Sequence, residues 1–298
     1  MQGYHFCLAL ALGIVFGAAL VMPHGQALAQ ATGFFKTKIG NLDVTAISDA
    51  SGQMGASLLG GIDNEKITQA AIQAGIQGKD FPSFVNAFVV DLPSGKVLVD
   101  TGNGPSANLM KNLAAAGISP GDIQAILLTH FHGDHIGGLI DTSGKAAFPN
   151  ATVYADVAED KYWLGGGDRG QQAKKAMDPY KSVDRYKLFS PGDEILPGVK
   201  AAELYGHTPG HVGFLFEAGS EDFLAWGDIV HIAYVQFKHP EATMSYDVDK
   251  AKGVETRKKV FADSSEKKHV VAGAHLPFPG IGRVSKSEGE SYTYKPIN

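Results

Sequence analysis

Short apolar runs broken by turn residues set the pattern of this chain. Asp43–Ile47 and Ala87–Leu92 read as strands, Pro93-Ser94-Gly95 as a turn, and Lys96–Val99 as the returning strand. Ser106–Ala116 is expected to be a helix with Ser106 as its N-cap. Ala125–Leu128 is a buried strand that feeds a polar loop. Ala151–Tyr154 is another strand, followed by a helix through Trp163, and Gln171–Met177 is helical. Leu204-Tyr205, His211–Phe216 and Phe223–Trp226 read as strands of a second sheet. Asp249–Ala262 reads as a helix and His269–Val271 as a strand behind it. No repeat of solenoid spacing and no long low-complexity linker interrupts the order, so the pattern predicts one mixed α and β domain over residues 30–298.

Composition changes the picture mainly at the N-terminus. The 298 residues suffice for one large layered core, and a net charge of -5 leaves no basic footprint for nucleic acid. Phe6–Met22 is apolar and uncharged, and Ala27-Leu28-Ala29 fits a small-x-small cleavage site. Residues 1–29 therefore read as a secretory signal peptide, with a mature start near Gln30. That predicts a periplasmic or secreted protein without stable membrane association. The n-region carries no Lys or Arg, so an uncleaved N-terminal anchor is the alternative. The only cysteine, Cys7, lies inside that segment and drops out of the candidate metal ligands.

The chemistry concentrates in Thr129-His130-Phe131-His132-Gly133-Asp134-His135, directly after the apolar run Ala125–Leu128. Side chains two apart at a strand end face one side, so His130 and His132 can converge on one point. Asp134 and His135 follow at the turn and can reach a second. Imidazole and carboxylate suit zinc, iron, cobalt or manganese. The competing explanation, a histidine-rich polar turn, weakens because the arrangement recurs. Gly206-His207-Thr208-Pro209-Gly210-His211 lies between two apolar runs, Trp226-Gly227-Asp228 ends one, and Val271-Ala272-Gly273-Ala274-His275 ends another. The best-placed positions are His130, His132, Asp134, His135, His207, Asp228 and His275. They are too many for one tetrahedral zinc and suit two divalent ions that share a carboxylate. No GxSxG elbow is present.

These motifs, in this order, resemble the metallo-β-lactamase superfamily, and within it the methyl parathion hydrolases and related lactonases. The resemblance runs from about Gly40 onward and includes Val97–Gly102, Phe148–Val153, Tyr162-Trp163-Leu164, Leu196–Val199 and Gly273–Gly280. It implies an α/β fold of the αββα sandwich type with the metals, zinc being expected, at one edge. It also implies that His130, His132 and His207 hold one ion, that Asp134, His135 and His275 hold the other, and that Asp228 bridges them. A hydroxide shared by the ions would then attack a small-molecule lactone, ester or phosphotriester, with Asp134 aiming it. A homodimer is implied as well.

Some family lactonases carry a tyrosine three residues past the bridging carboxylate, where this chain has His231. That residue is a candidate for proton transfer or a packing histidine. His211 is read as supporting the site rather than as a ligand, and Asp100 as orienting a metal-bound histidine or ending a strand. Trp163 and Phe278 are candidate substrate-pocket residues, with core packing as the alternative for each. The segment Asn103–Ser106 is shorter than its counterpart in methyl parathion hydrolase and lacks an aromatic, which argues for a wider pocket. A β-lactamase-type amide hydrolase and a metal-binding protein without catalysis are the competing functions.

Overall fold

A computed structural model describes residues 32–167 and 170–297; the expected signal peptide and Cys7 lie outside the described residues. Two seven-stranded sheets carry the fold. The first runs, edge to edge, through Phe34–Ile39, Leu42–Gly55, Asp80–Leu92, Gly95–Val99, Ile123–Leu127, Thr152–Asp156 and Tyr186–Phe189. The second runs through Tyr292–Pro296, Ile281–Lys286, Val270–Ala272, Glu221–Ala225, Val212–Ala218, Val199–Glu203 and Glu194–Leu196.

The central strands are apolar at successive positions because both faces of each sheet are covered. Val97, Val99, Ala125 and Leu127 face inward and pack with Val212, Phe214, Phe216, Phe223 and Ala272 of the opposite sheet. Their neighbours Leu98, Ile126 and Leu128 point the other way, onto Leu109, Leu113, Ala176 and Met177 of the helices Leu109–Ala115 and Gln171–Lys181. On the far side, Leu224, Trp226 and Val271 pack against Val260 and Phe261 of the helix Lys250–Glu266. The layers are therefore α, β, β and α, as expected.

Parallel pairing decides where the site forms. Gly95–Val99, Ile123–Leu127 and Thr152–Asp156 run parallel to one another, and so do Glu221–Ala225 and Val270–Ala272. Loops that leave the carboxyl ends of parallel neighbours emerge at one edge, where an open α/β sheet presents a crevice.

Two local expectations are corrected. The helix expected from Ser106 begins at Leu109, and Ser106 does not cap it. Instead Asp49, reaching over from the strand Leu42–Gly55, accepts from the Leu109 N–H at 2.9 Å. A cap supplied from 60 residues away leaves no local signature. The strand expected at Leu204-Tyr205 is Val199–Glu203, and those two residues already belong to the following turn, where the Leu204 N–H donates to the His211 carbonyl.

One unit was not anticipated. The strands Leu42–Gly55 and Asp80–Leu92 pair as far as Gly55 and Asp80. Beyond them, the helix Asn64–Gln73 contributes Ile67, Ala70 and Ala71 to an apolar cluster with Phe81, Ile232, Val235 and Met244. This unit sits beside the chain segment that follows His231.

Candidate metal centre

Each candidate ligand stands just past a strand end. His132 occupies the N-cap position of the short helix Gly133–Ile136, which carries Asp134 and His135. His207 lies in the turn between Val199–Glu203 and Val212–Ala218, Asp228 follows Glu221–Ala225, and His275 follows Val270–Ala272. Backbone geometry permits the close approach. Gly227 has φ +57°, and a Cβ there would lie 2.6 Å from His211 Nε2.

The structure brings all seven residues together in two groups. His132 Nδ1 lies 2.9 Å from His130 Nε2 and 3.0 Å from His207 Nε2. Asp228 Oδ2 is 3.6 Å from His130 Nε2 and 3.3 Å from His207 Nε2. In the second group, Asp134 Oδ2 lies 3.8 Å from His135 Nε2 and 3.5 Å from His275 Nε2. Asp228 closes this group too, with Oδ1 3.1 Å from His135 Nε2 and Oδ2 3.1 Å from His275 Nε2. Its two oxygens therefore face both groups, the position expected of a bridge.

Hydrogen bonds on the far side of the rings orient the donors. His135 Nδ1 bonds Asp100 Oδ2 at 2.8 Å, His207 Nδ1 bonds Asp247 Oδ1 at 2.9 Å, and His275 Nδ1 bonds the Phe84 carbonyl at 2.6 Å. A ring that donates through Nδ1 keeps its lone pair on Nε2, facing the centre. Asp100 also accepts from the backbone and hydroxyl of Thr129, which joins the strand end to the ligand loop. Two buried atoms, His135 Nε2 and Asp228 Oδ1, have no hydrogen-bond partner among the described residues. Orphaned acceptors beside imidazole nitrogens only about 3 Å apart are costly unless a cation lies among them. The donor set of imidazoles and carboxylates fits divalent metal.

Electrostatics divides the histidines. Burial and the neighbouring His207 lower His132 to about 3. Burial also opposes charge on His207, but the Asp228 and Asp247 carboxylates outweigh it and raise that group to about 9. His135 and His275 are likewise raised, since burial is overcome chiefly by Asp228. Burial would raise Asp228, yet the surrounding histidines hold it well below the usual carboxylate range.

The remaining candidates separate. His211 is not a ligand: its Nδ1 donates to the Leu204 carbonyl, and its Nε2 accepts from the Asp228 backbone N–H at 2.9 Å. His231 is buried at the centre, with Nε2 3.2 Å from Asp228 Oδ2 and its ring stacked on His275 at 4.9 Å. Trp163 packs edge-on against His132 at 5.6 Å and stays partly open, so it stands at the site's margin. Phe278 is buried with Phe84 and Ile281 between the sheets, which is the packing alternative. Asp247 and Glu159 were missed by sequence reasoning. Glu159 is fully buried and accepts from Phe131 N, Trp163 Nε1, Thr208 Oγ1 and Gly210 N. Their links to the ligand loops leave no local motif, because Phe131, Thr208 and Gly210 lie 28 to 51 residues from Glu159 and His207 lies 40 from Asp247; of the four Glu159 bonds, that to Trp163, four residues on, is the local one.

Comparison with known proteins agrees with this geometry. The profile of the metallo-β-lactamase superfamily matches residues 80–275, which spans every candidate ligand. The chain belongs to that superfamily. Among solved structures of superfamily type, the hydrolase AbOPH aligns with a TM-score of 0.84 at 33% identity, over 89% of this chain and 98% of that one. AidC, described as a dizinc quorum-quenching lactonase, shares the fold with a TM-score of 0.80 at 24% identity, over 89% and 98%. An N-acyl homoserine lactonase from Bacillus sp is 26% identical over 154 residues, 44% of this chain and 57% of that protein. The lactamase-like protein adaB of Aspergillus niger is 29% identical over 171 residues, 56% and 46%. The chain spans about half the length of these curated relatives.

Proposed function

We propose that this protein is a metal-dependent hydrolase that opens lactones and cleaves esters of small apolar molecules, with zinc at two adjacent sites. The observation that carries the reading is Asp228, whose oxygens face both histidine groups at 3.1 to 3.6 Å. His130, His132 and His207 would hold one ion, Asp134, His135 and His275 the other, and Asp228 both. Bound divalent ions would supply Lewis acidity, polarising the scissile carbonyl and lowering the pKa of water.

The chain's own groups do the rest. Asp134, less enclosed than the histidines around it, is placed to take a proton on its carboxylate oxygens. His231 Nε2, beside Asp228, is placed to exchange a proton with the departing alkoxide. The half-buried Trp163 ring gives an acyl or aryl group an apolar surface against His132 and keeps water from that side.

Lactones and aryl esters are favoured over methyl parathion-like phosphotriesters by the segment Asn103–Ser106. Asn103 donates from both its backbone and its side chain to Asp49 Oδ2 at 2.8 Å, and Gly137 packs against the Asn103 carbonyl. The segment is therefore tied down beside the ligand helix and offers no aromatic wall. The similarity to proteins described as N-acyl homoserine lactonases supports the same preference. The apolar run Phe6–Met22 supports an exported protein, which N-terminal sequencing of secreted material would check.

The test is a substrate panel on zinc-loaded and chelator-stripped protein, with acid release followed by pH-stat and metal content by elemental analysis. Two ions per chain and metal-dependent lactone opening are expected. One ion at saturation would remove the bridged centre, and two ions without turnover of any ester, lactone or amide would leave a metal-binding protein.

A further inference from the structure

Glu159 links three parts of the centre that the chain makes separately. Its carboxylate is fully buried on the helix Val157–Leu164, and no cationic side chain bonds it among the described residues. Oε1 accepts from the Phe131 N–H at 2.9 Å and from Trp163 Nε1 at 2.6 Å. Oε2 accepts from the Thr208 hydroxyl at 2.7 Å and from the Gly210 N–H at 2.9 Å. Phe131 is the residue between His130 and His132, and Thr208 directly follows His207. One side chain thus binds the two loops that supply the three histidines of one ion, and also the aromatic ring that packs on His132.

Packing supports this placement. A Cβ on Gly210 would lie 2.1 Å from Glu159 N and 2.6 Å from Asp156 Oδ1, so the second loop lies directly on the start of the helix. Asp156 fixes that start by accepting from Ala158 N and Glu159 N. By contrast, no hydrogen bond of Glu159 among the described residues reaches Asp134, His135 or His275; His135 is held by Asp100 and His275 by the Phe84 carbonyl.

We propose that Glu159 is the positioning residue of the His130, His132 and His207 half of the centre, setting its affinity for metal independently of the other half. The inference rests on the metal-centre reading above, and the wild-type protein tests that reading separately. Glu159→Gln keeps the size of the side chain but turns an NH2 toward Gly210 N–H or Phe131 N–H, so at least one of the four bonds is lost. Groups that hold ligands in place typically account for about 10–100-fold in metal affinity.

The experiment is cobalt titration of stripped protein against a competing chelator, followed by visible absorption. Wild type should show two sites; if it binds none, the centre itself is refuted. His275→Ala and His132→Ala each isolate one half. In the His275→Ala background, Glu159→Gln should weaken the remaining ion at least tenfold, with an altered ligand-field spectrum. In the His132→Ala background it should change affinity less than threefold. Equal loss in both backgrounds, or no loss in either, would overturn the proposal. Thr208→Val, which deletes one of the four bonds, should weaken the same half to a smaller degree, and it decides the matter if Glu159→Gln does not fold.

Discussion

At the scale of single residues, Asp228 carries the largest load. It is buried among His130, His135, His207, His231 and His275, with an oxygen 3.1 to 3.6 Å from each ring. Asp228→Ala should lower hydrolysis by at least about 100-fold and release at least one ion, because no other carboxylate among the described residues faces both groups. Retention of two ions and full turnover would show that Asp228 is not the bridge. Asp247→Ala should act more selectively. It removes the acceptor of His207 Nδ1 and should reduce metal affinity by about 10–100-fold while the fold persists; chelator competition reads this directly.

At the scale of elements, the site depends on how strand ends and helix starts are finished. Asp156 caps the helix that carries Glu159 and Trp163, accepting from Ala158 N at 2.7 Å and from Glu159 N at 3.2 Å. Asp156→Ala should cost about 1 kcal/mol of stability, measured as a lower urea midpoint with an unchanged slope. The strands themselves were legible where both faces are covered, as in Lys96–Val99 and Ala125–Leu128. The edge strands Phe34–Ile39 and Tyr186–Phe189 were not, because each mixes exposed and buried positions over a short length. The helix Asn64–Gln73 was missed for a related reason: it buries only Ile67, Ala70 and Ala71, and two of those are alanines.

At the scale of the whole molecule, metal, protons and stability are linked. His207 is raised to about 9, and His135 and His275 are also raised, all through Asp228 and the other carboxylates about them. A group whose pKa lies above the ambient pH carries its proton, so at pH 7 His207 of the metal-free centre is protonated. Metal uptake must then release protons, and affinity should rise with pH up to about 9. Calorimetric titration in buffers of different ionisation enthalpy should show net proton release at pH 7; zero release would contradict the assignment. Stripping the metal should also lower the thermal midpoint. Each site held at a hundredfold its dissociation constant contributes about 2.7 kcal/mol to the folded state.

The sequence alone singled out the seven candidate ligands and a mixed α and β domain, while the αββα layering came from the family resemblance. Histidine and aspartate directly after apolar runs form a local signal, and alternating inward and outward positions follow from the strand's period of two. Only the tertiary structure decided which carboxylate supports which ring. Asp100 to His135, Asp247 to His207 and Glu159 to Phe131 and Thr208 are contacts between segments far apart in the chain that meet at one edge. It likewise placed Phe278 between the sheets and Trp163 against His132. Apolar composition marks such residues as buried, but which surface they meet is set by the register of strands far apart in the chain.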